Sequence, residues 1–147
     1  MISNSYLFSQ AYNAMTAAYA PYSHFRVGAA LVAGISDDES AFEIYTGANI
    51  ENVSYSASCC AERIAFYCAW MAGCRYFHKI AIVGGINGLP EDFCPPCGIC
   101  RQTMREFCGD SFQIILGKSP TDLKVYTLQE LLPHSFHKLN GISGGRF

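Results

Sequence analysis

The residues able to do chemistry gather in two short runs, Cys60-Ala61-Glu62-Arg63 and Pro96-Cys97-Gly98-Ile99-Cys100. Folded against each other, the runs offer three thiolates and one carboxylate, Glu62, that is not needed as a ligand. A zinc ion held by three side chains keeps its fourth tetrahedral position for water, which separates a catalytic site from a closed structural one. Water so placed gives up a proton near neutral pH, and a free carboxylate beside it can take that proton. Metal-assisted hydrolysis is the chemistry these residue types suit.

Cys97 and Cys100 are three apart at the start of an expected helix, so their sulfurs share one face of its first turn. Cys60 opens another expected helix. The partial positive charge at both N-termini lowers thiol pKa and helps hold three thiolates beside one ion. Zinc with three thiolates still carries a net charge of about -1, which weakens its hold on the proton balance of bound water. Arg63 is the expected compensation, donating to the thiolates of Cys97 and Cys100 from just outside the ligand set. The C-x-x-C run alone also marks a structural zinc knuckle or a redox pair; the Cys-Ala-Glu run upstream, with strands between, is what favours catalysis. A closed zinc site would need a fourth ligand, and Cys59 or Cys94 is available. Cys94 stands in the extended Cys94-Pro95-Pro96, which carries it away from the helix face, and Cys59 reads as packed. His24, His78, His134 and His137 have no motif spacing to a cysteine and read as surface or turn residues.

These runs need a frame. Apolar residues recur at helical spacing from about Ser5 to Tyr19, closed by Pro21. Phe25–Val32 reads as a buried strand and Phe42–Gly47 as its hairpin partner across the polar Gly34–Ser40 loop. A helix is expected from Cys60 to Met71 with Gly73 as its stop. Lys79–Gly84 is continuous and apolar, as a central strand covered on both faces would be. A second site helix runs from Gly98 to a stop at Gly109. The strands Phe112–Leu116 and Leu123–Thr127 are too close in sequence for a crossover helix and must be antiparallel, and a short turn of helix precedes Pro133. The expected fold is a three-layer α/β/α sandwich around a mixed five-stranded sheet. Residues 1–147 are expected to form a single domain, with the tail from about 134 to 147 partly mobile.

Half of the residues are hydrophobic and only 15% are charged, more apolar surface than one small chain readily hides. Burial between identical subunits would resolve the excess. The formal net charge of -2 lacks the basic surplus that a nucleic-acid backbone demands. The first residues carry neither a basic start nor a long apolar run, so a cytoplasmic location and no membrane span are expected. Eight cysteines in a reducing compartment point to metal rather than disulfides.

A non-ligand Glu two residues after the first ligand, followed by P-C-x-x-C, is a known signature of zinc deaminases. More of the chain resembles one such family, the small homotetrameric cytidine deaminases: Ala20–Ala30, then Thr46–Asn52, Cys60–Arg63, Pro96–Gln102, and Glu130–Pro133 followed by Phe136. The resemblance implies zinc at Cys60, Cys97 and Cys100, with Glu62 as proton shuttle. It implies that Asn49 and Glu51 bind the ribose hydroxyl, that Phe25 packs on the nucleoside, and that the backbone at Ala61 and Pro96 reads the base. It also implies that Phe136 stacks in a neighbouring subunit's pocket, in trans, within a homotetramer. The long Gly34–Ser40 loop, Cys59 and the glycine-rich end depart from the family pattern. The expected reaction is hydrolysis of cytidine and 2′-deoxycytidine to the uridines in pyrimidine salvage. The alternatives are a deaminase of a modified nucleoside such as blasticidin S, and, from another class, a non-catalytic zinc-binding interaction module.

Overall fold

The computed structural model describes residues 1–137. The elements are α1 (Asn4–Ala14), β1 (Phe25–Gly34), β2 (Glu43–Ala48), α2 (Ala61–Met71), β3 (Tyr76–Ile86), α3 (Gly98–Phe107), β4 (Gln113–Ser119), β5 (Asp122–Thr127) and α4 (Leu128–Leu131). Among the described residues the strands form one five-stranded sheet in the order β2-β1-β3-β4-β5. Apolar β3 lies at its centre, buried from Ile80 to Gly85, as its unbroken run of small and branched residues requires. Only β3 and β4 pair in parallel, with α3 in the crossover between them. β1 pairs antiparallel with β2 and β3, and β4 with β5. The sheet is mixed and its last two strands are antiparallel, as expected.

Alternate residues of the central strands feed two cores, one on each face of the sheet. Leu7, Phe8, Ala11 and Met15 from the first helical segment cover Ala30, Val32, Ala81, Val83 and Ile115. On the other face Ala61, Ala65, Phe66 and Ala69 of α2, with Met104 of α3 and Leu128 of α4, cover Leu31, Ile80, Ile82 and Ile114. The result is three layers, α/β/α. α2 and α3 share a layer because Phe66 stacks on Phe107 with ring centroids 5.8 Å apart and planes 18° apart. That contact helps bring the two N-termini to one end of the sheet.

The first helix is shorter than its apolar spacing predicts. It stops at Ala14, and a 3-10 turn over Met15–Ala17 follows, well before Pro21. The Tyr19 N–H goes to the Asn49 carbonyl at 2.9 Å, and the Tyr19 carbonyl accepts from Glu51 N–H at 2.8 Å. Backbone groups spent on this bridge are not free to extend the helix. No helix among the described residues is long and apolar enough to cross a membrane. Most of the segment expected to be mobile, residues 138–147, lies outside the described residues.

Candidate active site

Cys60 is the N-cap of α2 and Cys97 the N-cap of α3, both in extended backbone and neither using its side chain to cap. Their sulfurs therefore stay free while sitting at the positive ends of two helices of 11 and 10 residues. Cys100 follows on the first turn of α3. The three Sγ atoms lie within 4.8 Å of one another, and Cys60 and Cys97 are 3.8 Å apart. Three sulfurs at 2.3 Å from a common centre with tetrahedral angles would be about 3.8 Å apart, so the trio fits one zinc ion. Among the described residues no fourth Cys, His or carboxylate joins the group. Cys59 directs its Sγ to the Cys60 carbonyl at 3.7 Å. Cys94 packs near Gly84, where an added Cβ would stand 3.0 Å from its sulfur, and burial pushes its thiol up to about 12.

Glu62, one residue beyond Ala61 on the first turn of α2, is only 4% exposed. Burial pushes its carboxyl up to about 7, and the neighbouring Cys60 charge adds to the rise while Arg63 opposes it. A buried acid poised near neutrality beside a metal-ligand trio is suited to moving protons. Arg63 meets one of its two expected partners and adds one that was not expected. Its Nη2 donates to Cys60 Sγ at 3.7 Å and to the Ser58 carbonyl at 3.4 Å, and its guanidinium also hydrogen-bonds Cys100, with Cys60 taking the place expected for Cys97. Cys60 lies three residues earlier on the same helical turn, the position an arginine side chain covers naturally. The compensating charge is present, applied at Cys60 and Cys100.

An antiparallel bridge between Ile50 and Cys59 sets the 49–51 segment beside the start of α2. Asn49 is held at both ends of its amide: Oδ1 accepts from Val27 N–H at 2.8 Å and Nδ2 donates to the Phe25 carbonyl at 2.8 Å. One Nδ2 hydrogen remains for another acceptor. Glu51 accepts from the N–H groups of Tyr22 and Ser23 through one oxygen, at 3.0 and 3.1 Å, and its carboxylate also takes a hydrogen bond from the Ser23 side chain. These bonds, the Ser23 ones foremost, hold its carboxyl below the usual range. Glu51 lines a cavity of about 380 Å3 with Tyr22, Ser23, Tyr55 and Ser58. Phe25 is 36% exposed, and its ring approaches Gly84, where a Cβ would be 3.0 Å away. Ala61 and Pro96 are buried at the two helix starts. Phe136 stands apart from this group, 68% exposed, with its carbonyl held by Gln102 Nε2 at 2.7 Å. Tyr22, Tyr55 and Ser58 were not singled out from sequence; the Pro21-Tyr22-Ser23 turn, set opposite Glu51, was the only available signal.

A mixed α/β/α sheet that brings a C-x-E run and a P-C-x-x-C run together at two helix N-termini defines a zinc-dependent deaminase. The family model for the cytidine and deoxycytidylate deaminase zinc-binding region matches residues 1–116. The chain is 42% identical to the cytidine deaminase of Sporosarcina psychrophila over 132 residues, covering 90% of each. It is 42% identical to that of Halalkalibacterium halodurans over 130 residues, covering 88% of this chain and 91% of the relative. The crystal structure of cytidine deaminase from Burkholderia pseudomallei superposes with a TM-score of 0.80 at 38% identity, covering 91% of this chain and 99% of that one. The chain belongs to the cytidine deaminase family, a family of zinc-dependent hydrolases.

Proposed function

We propose that this chain deaminates cytidine and 2′-deoxycytidine hydrolytically, giving uridine, 2′-deoxyuridine and ammonia. The observation that carries the reading is Glu62: buried, outside the ligand trio, and on the first turn of the helix that Cys60, one of the three sulfurs, caps. Zinc held by Cys60, Cys97 and Cys100 would supply Lewis-acid activation of water at its open position. Glu62 then takes a proton from the attacking water and passes it to the ring nitrogen next to the attacked carbon. The same carboxyl, ionised again, takes the remaining proton of the added hydroxyl as that C–O bond becomes the carbonyl, and delivers it to the amine, which leaves as ammonia when the C–N bond breaks. Arg63 offsets the negative charge of the trio through Cys60.

The remaining site residues hold the nucleoside. The second Nδ2 hydrogen of Asn49 and the carboxylate of Glu51, which has lone pairs beyond those its Tyr22 and Ser23 bonds use, match a ribose hydroxyl that both donates and accepts. Phe25 offers a ring face, and the backbone at Ala61 and Pro96 offers polar groups for the edge of the base. The substrate-facing residues named here include no basic cluster for a phosphate, which supports a free nucleoside over a nucleotide or polynucleotide. Phe136 reaches a neighbouring subunit within a homotetramer. The same reading has residues 1–147 as one domain acting in pyrimidine salvage in the cytoplasm.

Ultraviolet assay of the zinc-loaded protein against cytidine, deoxycytidine, cytidine monophosphate and blasticidin S tests this directly. The nucleosides should be turned over best; preference for the monophosphate or for blasticidin S would refute the substrate assignment. Glu62→Ala should keep its zinc by metal analysis while kcat falls by at least about 10²–10⁴-fold. A non-catalytic zinc module would show no turnover in either protein.

A further inference from the structure

Arg101 follows the last cysteine ligand on α3, and its guanidinium is spent on backbone carbonyls. Its Nε donates to the Pro96 carbonyl at 2.7 Å, and its Nη1 donates to the Leu131 carbonyl at 2.6 Å. Both are short, charge-assisted bonds, and one rigid planar group makes them to chain positions far apart in sequence. Each acceptor has few alternatives. Pro96 has no N–H, and its side chain is fully buried, so the carbonyl is the polar handle by which its peptide can be oriented. α4 is only four residues long, and its final carbonyls have no partner inside the helix. The next residue, Gln102, ties the Phe136 carbonyl to the same helix at 2.7 Å.

We infer that Arg101 is a positioning residue for the substrate: its guanidinium locks the Pro96 carbonyl and the end of α4 together, so that the base-facing loop and the segment leading to Phe136 hold one geometry. The inference rests on the proposed role of the Pro96 backbone in reading the base. Arg101 touches none of the three sulfurs in this arrangement, so metal binding and substrate binding separate. A lysine keeps the charge but has one nitrogen on a flexible stem and cannot span both carbonyls as the fork does.

The test measures zinc content, melting temperature, kcat and KM for cytidine in wild type, Arg101→Gln and Arg101→Lys, with kinetics taken well below every melting temperature. Zinc should stay at the wild-type ratio per chain. KM should rise about tenfold or more in Arg101→Gln, the loss expected for one or two charge-assisted bonds, with kcat changed much less. Arg101→Lys should fall between the two. Kinetic constants within about twofold of wild type, with only the melting temperature lowered, would make Arg101 a stability brace and overturn the inference. Loss of zinc in step with activity would overturn it too. If Arg101→Gln fails to fold, the KM of Arg101→Lys decides by the same criterion. Wild-type protein that leaves cytidine unchanged would remove the proposed reaction and this inference together, whereas active wild type with unaffected variants removes the inference alone.

Discussion

The three site sulfurs share protons before they share a metal. Without zinc, a hydrogen bond from Cys100 pulls the Cys60 thiol down to about 5, with Arg63 and Cys97 helping against burial. The same bond pushes the Cys100 thiol upward. The two sulfurs thus share a proton that is held chiefly on Cys100. Zinc requires both to be deprotonated, so binding must expel the Cys100 proton, and affinity falls as pH falls. The loss is about tenfold per pH unit for each proton displaced. Calorimetric titration of the metal-free chain with zinc in two buffers of different ionisation enthalpy counts the protons released; a count of zero at pH 7 would contradict this sharing. The trio and Glu62 were legible from residue type and spacing, because ligand chemistry restricts both. Cys60 as a partner of Arg63 was not, although Cys100 was, since how a guanidinium divides itself between its own turn and the facing helix depends on side-chain direction. Arg101 was hidden further still, because its partners are backbone carbonyls that leave no pattern of residue types.

At the level of elements, the strands and both site helices follow from apolar periodicity, and their expected bounds agree with the structure to within a few residues. The early end of α1 does not, because a bridge from Tyr19 to residues 49–51 competes for its backbone groups. A second element-scale feature invisible in periodicity is the closeness of α2 to β2. A Cβ at Gly47 would stand 2.2 Å from the Ala61 carbonyl oxygen and 2.8 Å from Ala65 N, contacts with rigid backbone that cannot yield cheaply. Gly47→Ala should therefore push the first turn of α2 off the sheet, costing about 1–3 kcal/mol of stability. Cys60 and Glu62 ride on that turn, so kcat should fall alongside the melting temperature. Gly109 meets nothing within 4 Å of an added Cβ, so Gly109→Ala should stay within about 0.5 kcal/mol. Denaturant unfolding and kinetics on the two variants give the comparison, and equal responses would show that the close approach does not position the site.

For the whole molecule, composition gave the excess of apolar surface but not where it lies, since that depends on which faces the sheet and helices cover. The structure leaves Tyr22, Tyr55 and Val53 exposed by 46%, 75% and 79%, with Tyr22 and Tyr55 ringing the cavity beside Glu51. Phe136 is 68% exposed, with its carbonyl held by Gln102, so its ring offers surface that a neighbouring chain could cover. If it does, the site of one chain is completed by another, and activity can be rebuilt from two damaged chains. Phe136→Ala keeps Glu62 but lacks the ring, and Glu62→Ala keeps the ring but lacks the acid. Co-expressed with different tags and purified as mixed assemblies, the pair should contain sites with an intact Glu62 served by the other chain's Phe136. Those sites should turn over cytidine with a KM near that of wild type, while Phe136→Ala alone shows a raised KM. If the ring instead serves its own chain, every working Glu62 in the mixture still lacks it, and the KM stays at the Phe136→Ala value.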